Sequence, residues 1–179
     1  FIRGYGIWGA IGRFEPPDFL KKDSNSSLGF LIGHGEVLPY EENKVTLSKK
    51  LDKWGIPIPK IDCKWRDNEK KMATHMNNTI KEIISTAGGE MLPIHKIIYM
   101  PFLEKLVDNS LATQASPPPP GYYIHEVGGA PMGFSEDSSV LDKWNKLWRC
   151  RNVLVVDGSC WPTSGWQSPT LTMMALTRR

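Results

Sequence analysis

A histidine ahead of a glycine-rich turn is the residue type best suited to moving a proton in this chain. His125 opens the run His125-Glu126-Val127-Gly128-Gly129-Ala130-Pro131-Met132-Gly133. Imidazole both accepts and donates near neutral pH, which general acid–base chemistry requires. Downstream, Asp157-Gly158-Ser159 ends the apolar run Val153-Leu154-Val155-Val156, and Ser168-Pro169-Thr170 opens a final apolar stretch. Polar residues at the carboxyl end of a strand, and unpaired N–H groups at the start of a helix, are two recurrent places for a ligand.

Two other chemistries are considered and set aside. Ser159, His125 and Asp157 have the residue types of a nucleophile, a base and an orienter. A nucleophile elbow needs G-x-S-x-G, however, and Ser159 is followed by Cys160-Trp161-Pro162 with the would-be orienter beside it in sequence. Gly4-Tyr5-Gly6-Ile7-Trp8-Gly9 satisfies G-x-G-x-x-G, but a dinucleotide fingerprint lies between a strand and a helix. Here only Phe1–Arg3 precede it and Pro16-Pro17 follow, so a glycine-relieved strand is the better reading. His75, beside a methionine on a helical pattern, reads as a packing or surface residue.

Composition narrows the classes further. The chain has 22 Lys and Arg against 19 Asp and Glu, a net charge of +3, and its lysines are scattered. No basic stripe for nucleic acid is present. No apolar run approaches the roughly 20 residues that span a membrane. Cys63, Cys150 and Cys160 form no C-x-x-C pair or Cys/His cluster, so they read as reduced thiols, no metal site is expected, and the cytoplasm is the favoured compartment. The chain opens on Phe1 and stops at Thr177-Arg178-Arg179 inside an apolar pattern, as a piece of a longer polypeptide would.

These candidates need elements to hold them. Phe1–Phe14 predicts a glycine-interrupted strand, Leu28–Pro39 a second, and Lys44–Leu47 a short third that neighbours the second. Ile56-Pro57-Ile58-Pro59 is extended, and Lys60–Trp65 alternates Ile61, Cys63 and Trp65 as a half-buried strand does. A helix over about 67–87 carries Met72, Met76, Ile80, Ile83, Ile84 and Ala87 in one stripe, with Asp67 as cap and Gly88-Gly89 as stop. Met91–Met100 reads as another strand, and Ser116–Gly121 as a stiff connector. Lys143–Trp148 reads as a short Trp-rich helix, and Val153–Val156 as a strand covered on both faces in a parallel sheet. Ser168 then caps a last helix with Pro169 in its first turn.

The block from His125, the block Asn152–Ser159 with Pro162-Thr163, and the block Ser168–Leu176 occur in one order. Together they resemble the C-terminal signature of the glucose–methanol–choline (GMC) flavoprotein oxidoreductases. Gly33–Pro39, Asn43–Leu47 and Trp54-Gly55-Ile56-Pro57 are similar, more loosely, to the branch of that family that oxidises sugars and polyols. The resemblance implies a mixed α+β and α/β architecture: residues 1–118 as an antiparallel-sheet part of a substrate domain, and 119–179 as the returning segment of a Rossmann-like FAD domain. It implies oxidation of an alcohol, a sugar or polyol by preference, with FAD as cofactor and an electron acceptor that the sequence does not identify. His125 matches the family's catalytic histidine. Asp157 and Gly158 match its flavin contact, and Ser168, Pro169 and Thr170 its flavin-facing helix start.

One position departs from the pattern. As catalytic partner to the first histidine the family usually carries His or Asn where this chain has Ser168, which can hydrogen-bond a substrate hydroxyl but reaches less far, although Gln167 stands next to it. A non-catalytic carbohydrate-binding or structural module is the alternative that Ser168 leaves open.

Overall fold

A computed structural model describes residues 1–12, 28–91, 120–121 and 123–179. The described residues form a mixed α+β structure of small antiparallel sheets and helices, in two compact units.

In the first unit, β1 (Tyr5–Gly12) and β2 (Leu28–Gly35) pair antiparallel, with Tyr5 opposite Gly35 and Gly9 opposite Leu31. From Tyr5 onward the G-x-G-x-x-G run therefore lies on a strand, as its context predicts. Gly9 is required there, because a Cβ would stand 2.0 Å from the Phe30 carbonyl oxygen. Helix α1 (Asp67–Thr86) lies against this hairpin. Gly33 and Gly35 point to one face of β2, and a Cβ on them would collide with the Met76 and Met72 sulfurs. Met72 and Met76, one helical turn apart, thus occupy the room those glycines leave. Burial runs out along the predicted stripe: Met72 and Ala73 are buried, whereas Ile83 is exposed. The helix stops as its glycines predict. Gly88 takes φ 75°, its N–H donates to Ser85, and that of Gly89 donates to Ile84.

His75 on α1 is exposed and pairs with the Tyr5 phenol at 2.7 Å, and Thr79 completes that group at 3.0 Å from the same oxygen. Its role in the structure is therefore a packing one.

In the second unit, β3 (Lys44–Leu51) and β4 (Pro57–Asp62) form another antiparallel hairpin. Strand β3 pairs with β4 and not with β2, contrary to the sequence expectation. The tight turn at Asp52 joins β3 to the next segment, so the local partner wins. Strand β4 stops at Asp62, before Cys63 and Trp65, and its Ile61 is exposed.

Two more expectations are corrected. Lys143–Trp148 is not a helix but a turn leading into β5 (Lys146–Leu147). The Asp142 carboxylate accepts from the Trp144 and Lys146 N–H groups at 2.7 and 3.0 Å, taking donors that a helical turn would use. The apolar run ends β6 (Cys150–Leu154), which pairs antiparallel with β5, and Val153 and Leu154 are exposed. Apolar content alone promised two covering layers, and the described part of the unit leaves these side chains exposed.

The Asp142 turn has a twin. Asp52-Lys53-Trp54-Gly55 and Asp142-Lys143-Trp144-Asn145 repeat one pattern. Asp52 accepts from Trp54 and Ile56 at 2.8 and 2.9 Å, and its N–H donates to the Ile56 carbonyl at 2.9 Å, as that of Asp142 does to Lys146. In both turns a lysine ammonium lies over the tryptophan ring, and the fourth residue is left-handed, φ 81° at Gly55 and 64° at Asn145.

The expected strand at Met91–Met100, apart from Met91, and residues 116–119 and 122 of the connector region lie outside the described residues. Among the described residues no helix is long and apolar enough to cross a membrane, and no three His, Cys, Asp or Glu side chains group as metal ligands.

Candidate active site

The second unit brings the three sequence blocks together around one short turn. Gly158–Cys160 forms a single 3-10 turn, and the chain after His125 runs beside it. The N–H groups of Gly128, Ala130 and Met132 donate in succession to the carbonyls of Gly158, Ser159 and Cys160, at 3.4, 2.8 and 3.3 Å. Helix α2 (Thr170–Arg178) meets the same turn. A Cβ on buried Gly158 would stand 3.0 Å from the Glu126 carbonyl oxygen and 3.4 Å from both Met173 Cε and Val127 Cγ1. Glycine is needed there because backbone from the first block and a side chain from the last helix close on it from two directions.

His125 adopts φ 80°, the left-handed region that non-glycine residues seldom occupy. Such conformations cluster where a site fixes one side chain's direction. The His125 ring is half-buried, and it has no hydrogen-bond partner among the described residues.

Asp157 is committed to its own turn. Its Oδ1 accepts the Ser159 N–H at 2.8 Å and the Ser159 hydroxyl, capping the 3-10 turn. Those two bonds, the hydroxyl first, hold its carboxyl below the ordinary carboxylate value. Ser159 therefore donates to a carboxylate rather than to an imidazole base, which removes the hydrolase reading on geometry.

Ser168 does not cap α2. The helix starts one residue later than expected, with Pro169 in the cap position and no side-chain oxygen on the free N–H groups. Pro169 is buried and its carbonyl already accepts from Met173 at 3.1 Å, so its ring fills the position ahead of the first full turn. Ser168 and Thr170 are exposed at that end, and the first N–H groups of α2 remain available.

Sequence reasoning missed one residue of this unit. Asn145 is 2% exposed, and its amide reaches Met132 Sδ at 3.2 Å and Arg179 at 3.1 Å. The available signal was the repeated Asp-Lys-Trp with Gly once and Asn once in fourth place. Cys160, also buried, has its thiol pushed up by desolvation and then by the Asp157 charge.

The chain also matches known proteins. Residues 39–177 match the family model described as GMC oxidoreductase. The chain is 32% identical to 2-methyl-1,2-propanediol dehydrogenase of Mycolicibacterium austroafricanum, over 81% of this chain and 23% of that protein. It is 29% identical to the fructose dehydrogenase large subunit of Gluconobacter japonicus, over 83% and 24% respectively. Paromamine 6'-oxidase of Streptomyces fradiae is 27% identical over 76% and 22%. The chain thus spans less than a quarter of the length of these relatives.

Proposed function

The chain belongs to the GMC oxidoreductase family, and on that premise we propose that it carries the active-site part of an FAD-dependent enzyme that oxidises the CH–OH group of an alcohol, a sugar or polyol by preference. The observation that carries this is the convergence at Gly158, where the His125 block, the Asp157 turn and the start of α2 meet. The relatives named for a diol, for fructose and for paromamine support a hydroxylated substrate.

The residues present fit the ring end of FAD. Helix α2 offers uncapped N–H donors, suited to a carbonyl oxygen and to negative charge, and His125 offers an imidazole without a hydrogen-bond partner among the described residues. When bound, FAD supplies the acceptor for the two electrons and the hydrogen that leave the carbinol carbon. His125 takes the hydroxyl proton, so that the oxygen's electrons close the carbonyl. Asp157 and Gly158 would hold the flavin through their turn, and Ser168, Pro169 and Thr170 would do so through the helix start. Residues 1–118 serve chiefly the substrate domain and 119–179 the FAD domain, the covering layers of β6 being supplied by a Rossmann-like remainder.

The test is anaerobic addition of polyols and sugars to the flavin-loaded protein. Bleaching of the oxidised flavin band by at least one of them is expected. Sugar binding by a protein that takes up no flavin would favour a carbohydrate-binding module instead.

Ser168 yields its own prediction. Because Pro169 occupies the cap position, Ser168→Ala should change stability by less than about 0.5 kcal/mol, as at other exposed sites. Ser168→Asn, with a longer reach to the substrate hydroxyl, should raise the rate of flavin reduction. Rates measured on both variants decide it, and a flat or lower rate for Asn removes Ser168 from the substrate contact.

A further inference from the structure

The twin turns contain an internal control. At Gly55 the left-handed fourth position is filled by the residue that adopts it freely. At Asn145 the same hydrogen-bonded turn carries a side chain despite φ 64°, and that side chain is 2% exposed. The turn itself therefore does not require it, since Gly serves in the twin.

What the amide does is visible in its partners. Its Nδ2 donates to Met132 Sδ at 3.2 Å, on the block that begins with His125. The amide also faces the Cys160 thiol, whose charged form it favours, on the turn capped by Asp157. Its Oδ1 accepts from the Arg179 guanidinium at 3.1 Å, at the C-terminal end of α2, and that guanidinium also stands over the Trp144 ring at 5.3 Å to the centroid. Its backbone carbonyl accepts the Val155 N–H at 2.9 Å, on the segment leading into Asp157. Each block named for the site has a tie to this one residue.

We propose that Asn145 is a positioning residue of the active site: its buried amide holds the His125 block, the Asp157 turn and helix α2 in one register. The role rests on the reading of the site as a flavin-dependent alcohol oxidation. Gly158 joins the three blocks by close packing, which tolerates sliding, whereas hydrogen bonds from one planar amide fix direction as well as distance. Helix α2 is short, so a tie at its far end governs where its first N–H groups point.

Asn145→Gly is the test substitution, because the twin shows that Gly satisfies the turn. In the flavin-loaded protein it should lower flavin reduction at saturating alcohol by about 10- to 100-fold, the scale of a 1 Å misplacement. The half-saturating alcohol concentration should stay within about twofold, and the visible circular dichroism of the bound flavin should change. Asn145→Asp, which keeps the acceptor for Arg179 and tolerates the left-handed backbone, should recover part of the rate. Arg179→Gln removes the guanidinium tie to α2, and with it the cation over Trp144, at an exposed side chain, and should shift the same dichroism in the same direction by less. A lower melting temperature with wild-type rate and wild-type dichroism in Asn145→Gly would make Asn145 an ordinary core residue and overturn the proposal. If Asn145→Gly does not fold, unaltered rate and dichroism in Arg179→Gln overturn it. Wild-type protein whose flavin no alcohol reduces would refute the functional reading itself, a different failure with a different signature.

Discussion

Replacing His125 should slow flavin reduction by about 10²–10⁴-fold with flavin content near normal, the usual worth of a positioned general base. The choice of replacement matters, because His125 sits at φ 80°. Alanine there keeps the left-handed strain that histidine already bears, about 1–2 kcal/mol for a residue with a plain Cβ. Asparagine visits that region readily, so His125→Asn should lose the rate with stability kept or raised, while His125→Ala should lose the rate without that relief. The ring has no hydrogen-bond partner among the described residues, so its removal orphans no polar group there. Stopped-flow reduction under saturating alcohol, with thermal melts of both variants, measures the two effects separately. A rate unchanged in His125→Asn would take His125 out of the chemistry.

The sequence made some of this legible and concealed the rest for identifiable reasons. Helix α1 was readable because its signals are local: a stripe at helical spacing and two glycines whose N–H groups close the last turn. The strand character of Gly4–Gly9 was readable from context, and the structure adds that Gly9 must accommodate a neighbouring carbonyl. The Trp-rich segment misled because helix propensity ignores a carboxylate that captures two N–H groups, as Asp142 does. Val153–Leu154 misled because hydrophobicity reports a need for cover without saying where the cover comes from. The site blocks themselves were visible as motifs, and their meeting at Gly158 was not. That meeting depends on carbonyl-to-Cβ distances that no one-dimensional pattern carries. Asn145 was hidden twice, by its place in a turn and by its polar type, which sequence patterns assign to the surface.

Leu141→Ala should be the most damaging change to the scaffold, at about 2–5 kcal/mol for a buried leucine. Leu141 is fully buried, one of very few side chains in the second unit that are. Its N–H donates to Pro131 at 3.2 Å and its carbonyl accepts from Gly133 at 2.9 Å, so it lies against the end of the His125 block. It also bridges Met132 on one side and Leu147 of β5 on the other. A cavity here therefore opens between the His125 block and the strand pair that leads to Asp157. With folding free energies of about 5–15 kcal/mol, the loss is a large share of the whole. At roughly 2–4 °C per kcal/mol for 150–250 residues, the melting temperature should fall by about 4–20 °C. Leu141→Met, which conserves volume, should cost less than about 1.5 kcal/mol. The contrast with His125→Asn is diagnostic: one variant melts early with the chemistry intact while folded, the other melts normally with the chemistry gone. Equal melting of Leu141→Ala and wild type would mean that the unit is held by its hydrogen-bonded turns and not by this side chain.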